Sequence, residues 1–181
     1  MAEIGIDIDK AKSFLDRGQL IGLPTETVYG LAGNAFNESA VLKIFQVKNR
    51  PSFDPLIAHT NSLEKVKTFV KDIPDVALDL AEAFWPGPLT LLLPKKKRIP
   101  LLLTSGLKTV AVRIPDHPIT TELLEKLDYP LAAPSANPFG YVSPTTAHHV
   151  QDQLGEAIPY ILDGGPCRVG IESTIIGFEN N

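Results

Sequence analysis

Apolar and polar positions recur along this chain with two different periods, and each predicts its own kind of element. Ala11, Phe14 and Leu15 fall at helical spacing, so a short helix is expected over 9–16, stopped by Gly18. Leu20-Ile21-Gly22-Leu23 follows as a strand that Pro24 ends. Asn37 is placed to cap a helix that carries Val41, Leu42, Ile44 and Phe45 on its buried side and runs out near Lys48. Pro55 to His59 reads as a strand. A helix capped from Asn61 or Ser62 comes next, then a second over 75–84 that Trp85-Pro86-Gly87-Pro88 terminates. Apolar-rich runs predict buried strands at 89–93 and 109–114, a helix at 120–127, and further short strands at 131–133, 158–162 and 174–178. Strands interleaved with helices define an α/β domain, and such folds place ligands at strand ends and in the loops beyond them. The polar clusters of this chain fall there.

Composition narrows the picture. The 181 residues are expected to form a single domain over 1–181, with enough chain to bury a sizeable core. A net charge of -4 argues against indiscriminate coating of nucleic acid, while leaving room for a local basic groove. Cys167 is the sole cysteine, which excludes a disulfide framework and a cysteine-rich zinc site. The first residues carry no basic leader, and apolar stretches such as 89–93 are too short to span a bilayer. A soluble, cytoplasmic protein without a membrane partner is the expectation.

The candidate chemistry lies in three stretches. Lys48 and Arg50, two apart in a loop, have the form of a phosphate clamp, a mobile point charge beside a rigid fork; a solvated pair at a helix end is the plainer reading. Ser135 and Asn137 sit between Pro134 and Pro138, whose rings restrict the directions in which they present polar groups, unless they merely bond their own turn. Thr25, Glu26 and Thr27 offer hydroxyl and carboxylate groups after a strand, or else cap a helix. Lys95-Lys96-Lys97-Arg98 reads first as a solvated loop, then as a polyanion contact. His148 and His149 have no carboxylate-rich set around them, so no metal site is expected. Neither a G-x-x-x-x-G-K-[ST] loop nor a G-x-G-x-x-G fingerprint occurs. If a nucleotide is handled, other devices hold it.

Taken together, the clusters are more specific than apart. Pro24-Thr25-Glu26-Thr27-Val28-Tyr29-Gly30-Leu31, Lys48-x-Arg50-Pro51, Pro55-Leu56-Ile57-Ala58-His59, Trp85-Pro86-Gly87-Pro88-Leu89-Thr90, Val112-Arg113-Ile114-Pro115, Ala133-Pro134-Ser135-Ala136-Asn137 and Glu172-Ser173-Thr174-Ile175 occur in this order. This array resembles the YrdC/TsaC family, the threonylcarbamoyl-AMP synthases, from about Leu20 to Phe178. The resemblance implies a YrdC/RibB-like α/β fold, a twisted open mixed sheet with flanking helices around a concave cavity. It also implies a nucleotidyltransferase that makes L-threonylcarbamoyladenylate and pyrophosphate from L-threonine, bicarbonate or carbon dioxide, and ATP with Mg2+. The product would feed the threonylcarbamoyl modification of tRNA, with TsaB, TsaD and TsaE-type proteins as partners.

By matching positions, the resemblance gives Lys48 and Arg50 the catalytic role. It places Arg50, Thr109, Ser135 and Ser143 on ATP with Lys48 and Asn137, and Thr27, His59, Arg113 and Ser173 on threonine. His59 is expected either to steer a proton or only to position substrate. Two departures stand out. Asp54 replaces the amide usual after the Lys-x-Arg-Pro segment and would repel phosphate unless magnesium or Arg50 compensates. Many relatives also continue with an arginine-bearing segment, so closure over ATP is expected to be weaker here or differently provided. A non-catalytic RNA-binding module using Lys43, Lys48, Arg50 and the 95–98 run, a paralogue with altered substrate choice, and a carbamoyltransferase relative are the competing readings.

Overall fold

The computed structural model describes residues 1–178. In chain order the elements are β1 (Glu3–Gly5), α1 (Ile8–Asp16), β2 (Ile21–Leu23), β3 (Gly30–Asn34), α2 (Glu38–Lys48), β4 (Ile57–His59), α3 (Leu63–Phe69) and α4 (Asp75–Phe84). There follow β5 (Leu89–Pro94), β6 (Thr109–Arg113), α5 (Pro118–Glu125), β7 (Leu131–Ala132), α6 (Ala147–Leu154), β8 (Tyr160–Leu162) and β9 (Thr174–Ile176). Local chemistry sets the helix starts. Asn37 accepts from the N–H groups of Ser39 and Ala40, and Ser62 rather than Asn61 caps α3 through Lys65 N–H. α2 stops where Asn49 turns left-handed at φ 50°, a conformation that asparagine tolerates.

The strands form one mixed sheet in the order β1-β8-β2-β3-β7-β4-β6-β5-β9. Its halves meet at β3 and the two-residue β7: β3 pairs with β2 through Ala32, Leu31 and Gly30, and with β7 through Gly33 and Asn34. Alternation along the strands decides what each face buries. Leu91, Leu93, Val110 and Val112 face a core shared with Val41, Ile44 and Phe45 of α2, Val66 and Phe69 of α3, Ala77 of α4 and Val150 of α6. The opposite face is closed by α1 and α5, but only over one half, where Leu15, Leu123 and Leu124 pack on Ile21, Leu23, Tyr160 and Leu162. β4, β5, β6 and β9 contribute nothing to that second cluster. Their residues on this face, among them His59, Thr90, Thr109 and Arg113, are therefore free to line a site.

Several expectations are corrected. β1 and β3 have no apolar-run signal; Gly30-Leu31-Ala32-Gly33-Asn34 lacks β-branched residues. Gly33 is closely approached by Leu20: a Cβ would lie 2.7 Å from its Cδ2 atom, the end of a side chain that would have to shift. α6 joins the expected helices, and α5 starts at Pro118 rather than Thr120. Leu42 is 46% exposed, so the buried stripe of α2 runs through Ala40, Val41, Ile44 and Phe45 without it. The end of the last expected strand falls short too, since β9 stops at Ile176.

Candidate active site

Lys48 ends α2, and its side chain is not the solvated cation of the plainer reading. It is 1% exposed, and its Nζ donates to the carbonyls of Ser135 at 2.6 Å and Asn137 at 2.5 Å. Phe139 N–H donates in return to the Lys48 carbonyl at 2.7 Å. Lysine thereby ties the end of a helix to a loop from the other half of the chain. Burial first, and then the charge of Arg50, push its pKa down to about 8, with Asp54 opposing. Arg50 lies just beyond. Its Nη2 meets Asp54 Oδ2 at 2.8 Å, and its Nε donates to the Asp54 carbonyl at 3.1 Å. The anion at position 54 is thus compensated by Arg50, one of the two ways its presence was expected to be tolerated.

The Ser135 loop is rigid for identifiable reasons. Asn137 Nδ2 donates to the carbonyls of Pro138 at 3.0 Å and Tyr141 at 2.7 Å, which is the turn-forming behaviour of an asparagine. Its Oδ1 is buried and takes no donor among the described residues. Ser135 itself pairs with Gly30 in an isolated bridge, and a Cβ at Gly30 would come within 3.1 Å of Ala133 Cβ. The small residue therefore lets the loop lie against β3.

Thr25 to Thr27 form a turn between β2 and β3 rather than a helix start. Thr25 Oγ1 donates to the Val28 carbonyl at 2.7 Å and accepts the N–H groups of Thr27 and Val28. This presents Thr27 Oγ1 to Arg113, which donates to it from Nη2 at 2.9 Å. Arg113 closes β6, is 4% exposed, and also donates from Nε to the Gly87 carbonyl at 3.2 Å. Glu26 supplies its counter-ion at 2.6 Å, with Oε1 off the N–H axis, an ion pair without an aligned hydrogen bond. His59 sits opposite Arg113 in the β4–β6 register. Burial, reinforced by the neighbouring guanidinium, drives its pKa down to about 3, so its ring is neutral at neutral pH. That favours the positioning role over proton transfer. On the far wall Ser173 and Thr90 share a hydroxyl hydrogen bond of 2.7 Å.

These groups meet. Thr27, His59, Arg113, Ser135, Ser173 and Glu172 line one cavity floored by Val28, Ile57, Ala133 and Pro134. Lys48 and Asn137 stand behind the Ser135 wall as its support. Ser143 reaches the cavity only through its hydrogen bond to Glu172 Oε1. Thr109 shares the sheet face of Arg113, four positions away along β6, and Arg50 lies beyond the rim; neither lines this cavity. A wider apolar cleft between α3, α4 and α5, lined by Leu63, Leu78, Trp85 and Ile114, carries none of the expected residues. The motif reading passed over Thr90 and Glu172 and singled out Glu26 without a specific role, although each stands inside a stretch that carried the resemblance. Among the described residues no group of three or more His, Cys, Asp or Glu could hold a metal ion, and no helix is long and apolar enough to cross a membrane.

The basic run has its own explanation. Lys95 Nζ donates to the Ile99 carbonyl, Lys96 Nζ to the Lys67 carbonyl, and the Arg98 guanidinium lies 4.1 Å from the Phe36 ring centroid. Three of its four cations thus brace the loop after β5.

With this cavity and the Lys48-braced Ser135 loop beside it in place, likeness to known proteins decides the family. The Sua5/YciO/YrdC family model, described as Telomere recombination, matches residues 13–181. The chain belongs to this family. It is 51% identical over 166 residues to the threonylcarbamoyl-AMP synthase of Pyrococcus abyssi, covering 92% of this chain and 49% of that one. Identity to the Bacillus subtilis threonylcarbamoyl-AMP synthase is 45% over 170 residues, covering 93% and 49%. The chain thus spans about half the length of these Sua5/YciO/YrdC relatives. Its fold is also that of P. abyssi Sua5 solved in complex with L-threonine, with a TM-score of 0.94 and 47% identity over 98% of this chain and 54% of that one.

Proposed function

We propose that the chain is an L-threonylcarbamoyladenylate synthase domain, a nucleotidyltransferase acting on L-threonine, bicarbonate or carbon dioxide, and ATP. One observation carries this reading: Thr27, His59, Arg113, Ser135 and Ser173, remote in sequence, line a single cavity against the Lys48-braced loop. Relatives that carry the synthase name and a relative bound to L-threonine support it. In this reading the amine of threonine takes up carbon dioxide, the carbamate oxygen attacks the α-phosphorus of ATP, and pyrophosphate leaves. Arg113 and the Thr27 and Ser173 hydroxyls hold the amino acid, while neutral His59 shapes its seat. Arg50, Thr109, Ser135 and Ser143 hold the nucleotide, and Arg50 offsets charge on the phosphates. Lys48 acts with Asn137 by fixing the Ser135 wall, which amends the expectation of a direct phosphate contact. The site's donors are mainly hydroxyl, amide and guanidinium, a set that suits magnesium carried on phosphate oxygens rather than in a protein cage. The product would pass to TsaB, TsaD and TsaE-type proteins for transfer to tRNA.

The test is incubation with ATP, magnesium, threonine and bicarbonate, following pyrophosphate release as each component is omitted. Release that needs both threonine and bicarbonate is expected. Salt-dependent tRNA binding without such release would instead support an RNA-binding module.

A further inference from the structure

One charged group of the cavity has no task in this scheme. Glu172 lines the cavity with Arg113 and His59, and its backbone is pinned on both sides. Gly170 N–H donates to the Thr27 carbonyl at 2.9 Å, Thr174 N–H to the Pro88 carbonyl at 3.0 Å, and the Ser173 hydroxyl meets Thr90. Its Oε1 accepts from Ser143, while Oε2 takes no protein hydrogen bond among the described residues. Glu172 is exposed, so water solvates its carboxylate, but no cation of the cavity wall is left to pair with it. Arg113 is already matched by Glu26 at 2.6 Å, His59 is neutral, and among the described residues no other cation lines the cavity. A carboxylate in a site that must admit an amino-acid carboxylate and a triphosphate repels both, unless it meets a cation that arrives with them. Two such cations exist, the substrate ammonium and magnesium. Magnesium asks for several oxygen ligands in near-octahedral array, and Glu172 is a lone carboxylate beside one hydroxyl.

We infer that Glu172 is the specificity residue that binds the ammonium group of the amino-acid substrate, selecting α-amino acids over the corresponding hydroxy acids. The inference rests on the proposed function. A zwitterion then matches the cavity end to end, its carboxylate on the Arg113 side and its ammonium on Glu172. Ser143 holds Oε1, leaves Oε2 free for that nitrogen, and couples the amino-acid seat to the segment expected to touch ATP.

The experiment compares wild type with Glu172→Gln and Glu172→Asp, using calorimetry without nucleotide. The probes are L-threonine and 2,3-dihydroxybutanoate, which carries a hydroxyl where threonine has its amine. Wild type is expected to favour threonine. Glu172→Gln should weaken threonine about tenfold or more, the scale of one charge-assisted hydrogen bond, and erase the preference over the hydroxy acid. Glu172→Asp should retain part of it. In pyrophosphate release the loss should fall on KM for threonine and leave KM for magnesium-ATP within about twofold. Threonine bound by Glu172→Gln as tightly as by wild type overturns the assignment and leaves the proposed function standing. A defect confined to magnesium-ATP overturns it in favour of a metal contact. Wild type that binds no threonine overturns the function with it.

Discussion

Burial changes what Lys48 and His59 contribute. An exposed lysine could be truncated at little cost to folding. Lys48 is instead donor to two loop carbonyls, so Lys48→Met should leave both without their partner and cost about 2–4 kcal/mol in urea unfolding, besides lowering activity. Its depressed pKa also sets a pH dependence. The folded state releases this proton near pH 8 and the unfolded chain only near 10.5, so stability rises with pH inside that window. Cys167 works against it above pH 9, because burial raises its thiol to about 11 and the unfolded thiol ionises first. A gain of about 1 kcal/mol between pH 7 and 9 is therefore expected for wild type and should be missing in Lys48→Met. His59 gives the acid limb. With its folded pKa near 3 against 6.5 unfolded, the stability it confers is complete above pH 6.5 and is lost as pH falls toward 3. Unfolding curves at pH 6 and 4 should converge in His59→Gln relative to wild type.

The turn between α4 and β5 shows how an element can govern a site it does not line. The Gly87 carbonyl accepts from Arg113 Nε, and Gly87 N–H donates to the Ile114 carbonyl at 2.8 Å. A Cβ at Gly87 would lie 2.5 Å from the Phe84 carbonyl oxygen, a backbone atom that cannot swing aside. Gly87→Ala should therefore shift the turn, lower stability by about 1–3 kcal/mol, and raise KM for threonine through a displaced Arg113. Elements of this kind mark what could be read from the chain. α1, α2, α4, β5 and β6 follow from periodicity, caps and apolar runs, because each satisfies its own backbone and buries one face. β3 does not, since its glycines are chosen by close approach rather than by strand propensity. Lys48 could not be placed either: a lysine at a helix end reads as solvated, and only a loop some ninety residues later makes it buried. The partners of the site followed the same divide. Arg113 and Ser173 could be named from motifs, whereas Glu26 as counter-ion needed the fold of the β2–β3 turn and Thr90 as hydroxyl partner the β5–β9 register.

At the scale of the whole molecule, the cavity straddles a narrow join in the sheet. His59, Arg113 and Ser173 belong to the half built from β4, β6, β5 and β9, whereas Thr27, Val28 and Ser135 belong to the turn before β3 and the loop after β7. β7, only two residues long, carries the pairing between these halves, to β3 on one side and β4 on the other. A ligand gripped from both sides adds contacts where the sheet has few of its own, and binding to the folded state alone must raise stability by mass action. At about one hundred times its dissociation constant L-threonine should add about 2.7 kcal/mol, or roughly 5–10 °C in Tm for a chain of this size. The hydroxyls in the cavity wall also predict which ligand does so. L-valine has the same branched shape without the hydroxyl, and so forgoes the hydrogen bond that Thr27 or Ser173 would add to threonine. Thermal scans at matched concentrations should give a clearly smaller shift with L-valine. Equal shifts would remove the Thr27 and Ser173 hydroxyls from recognition of the side chain, and leave the zwitterion alone as what the cavity reads.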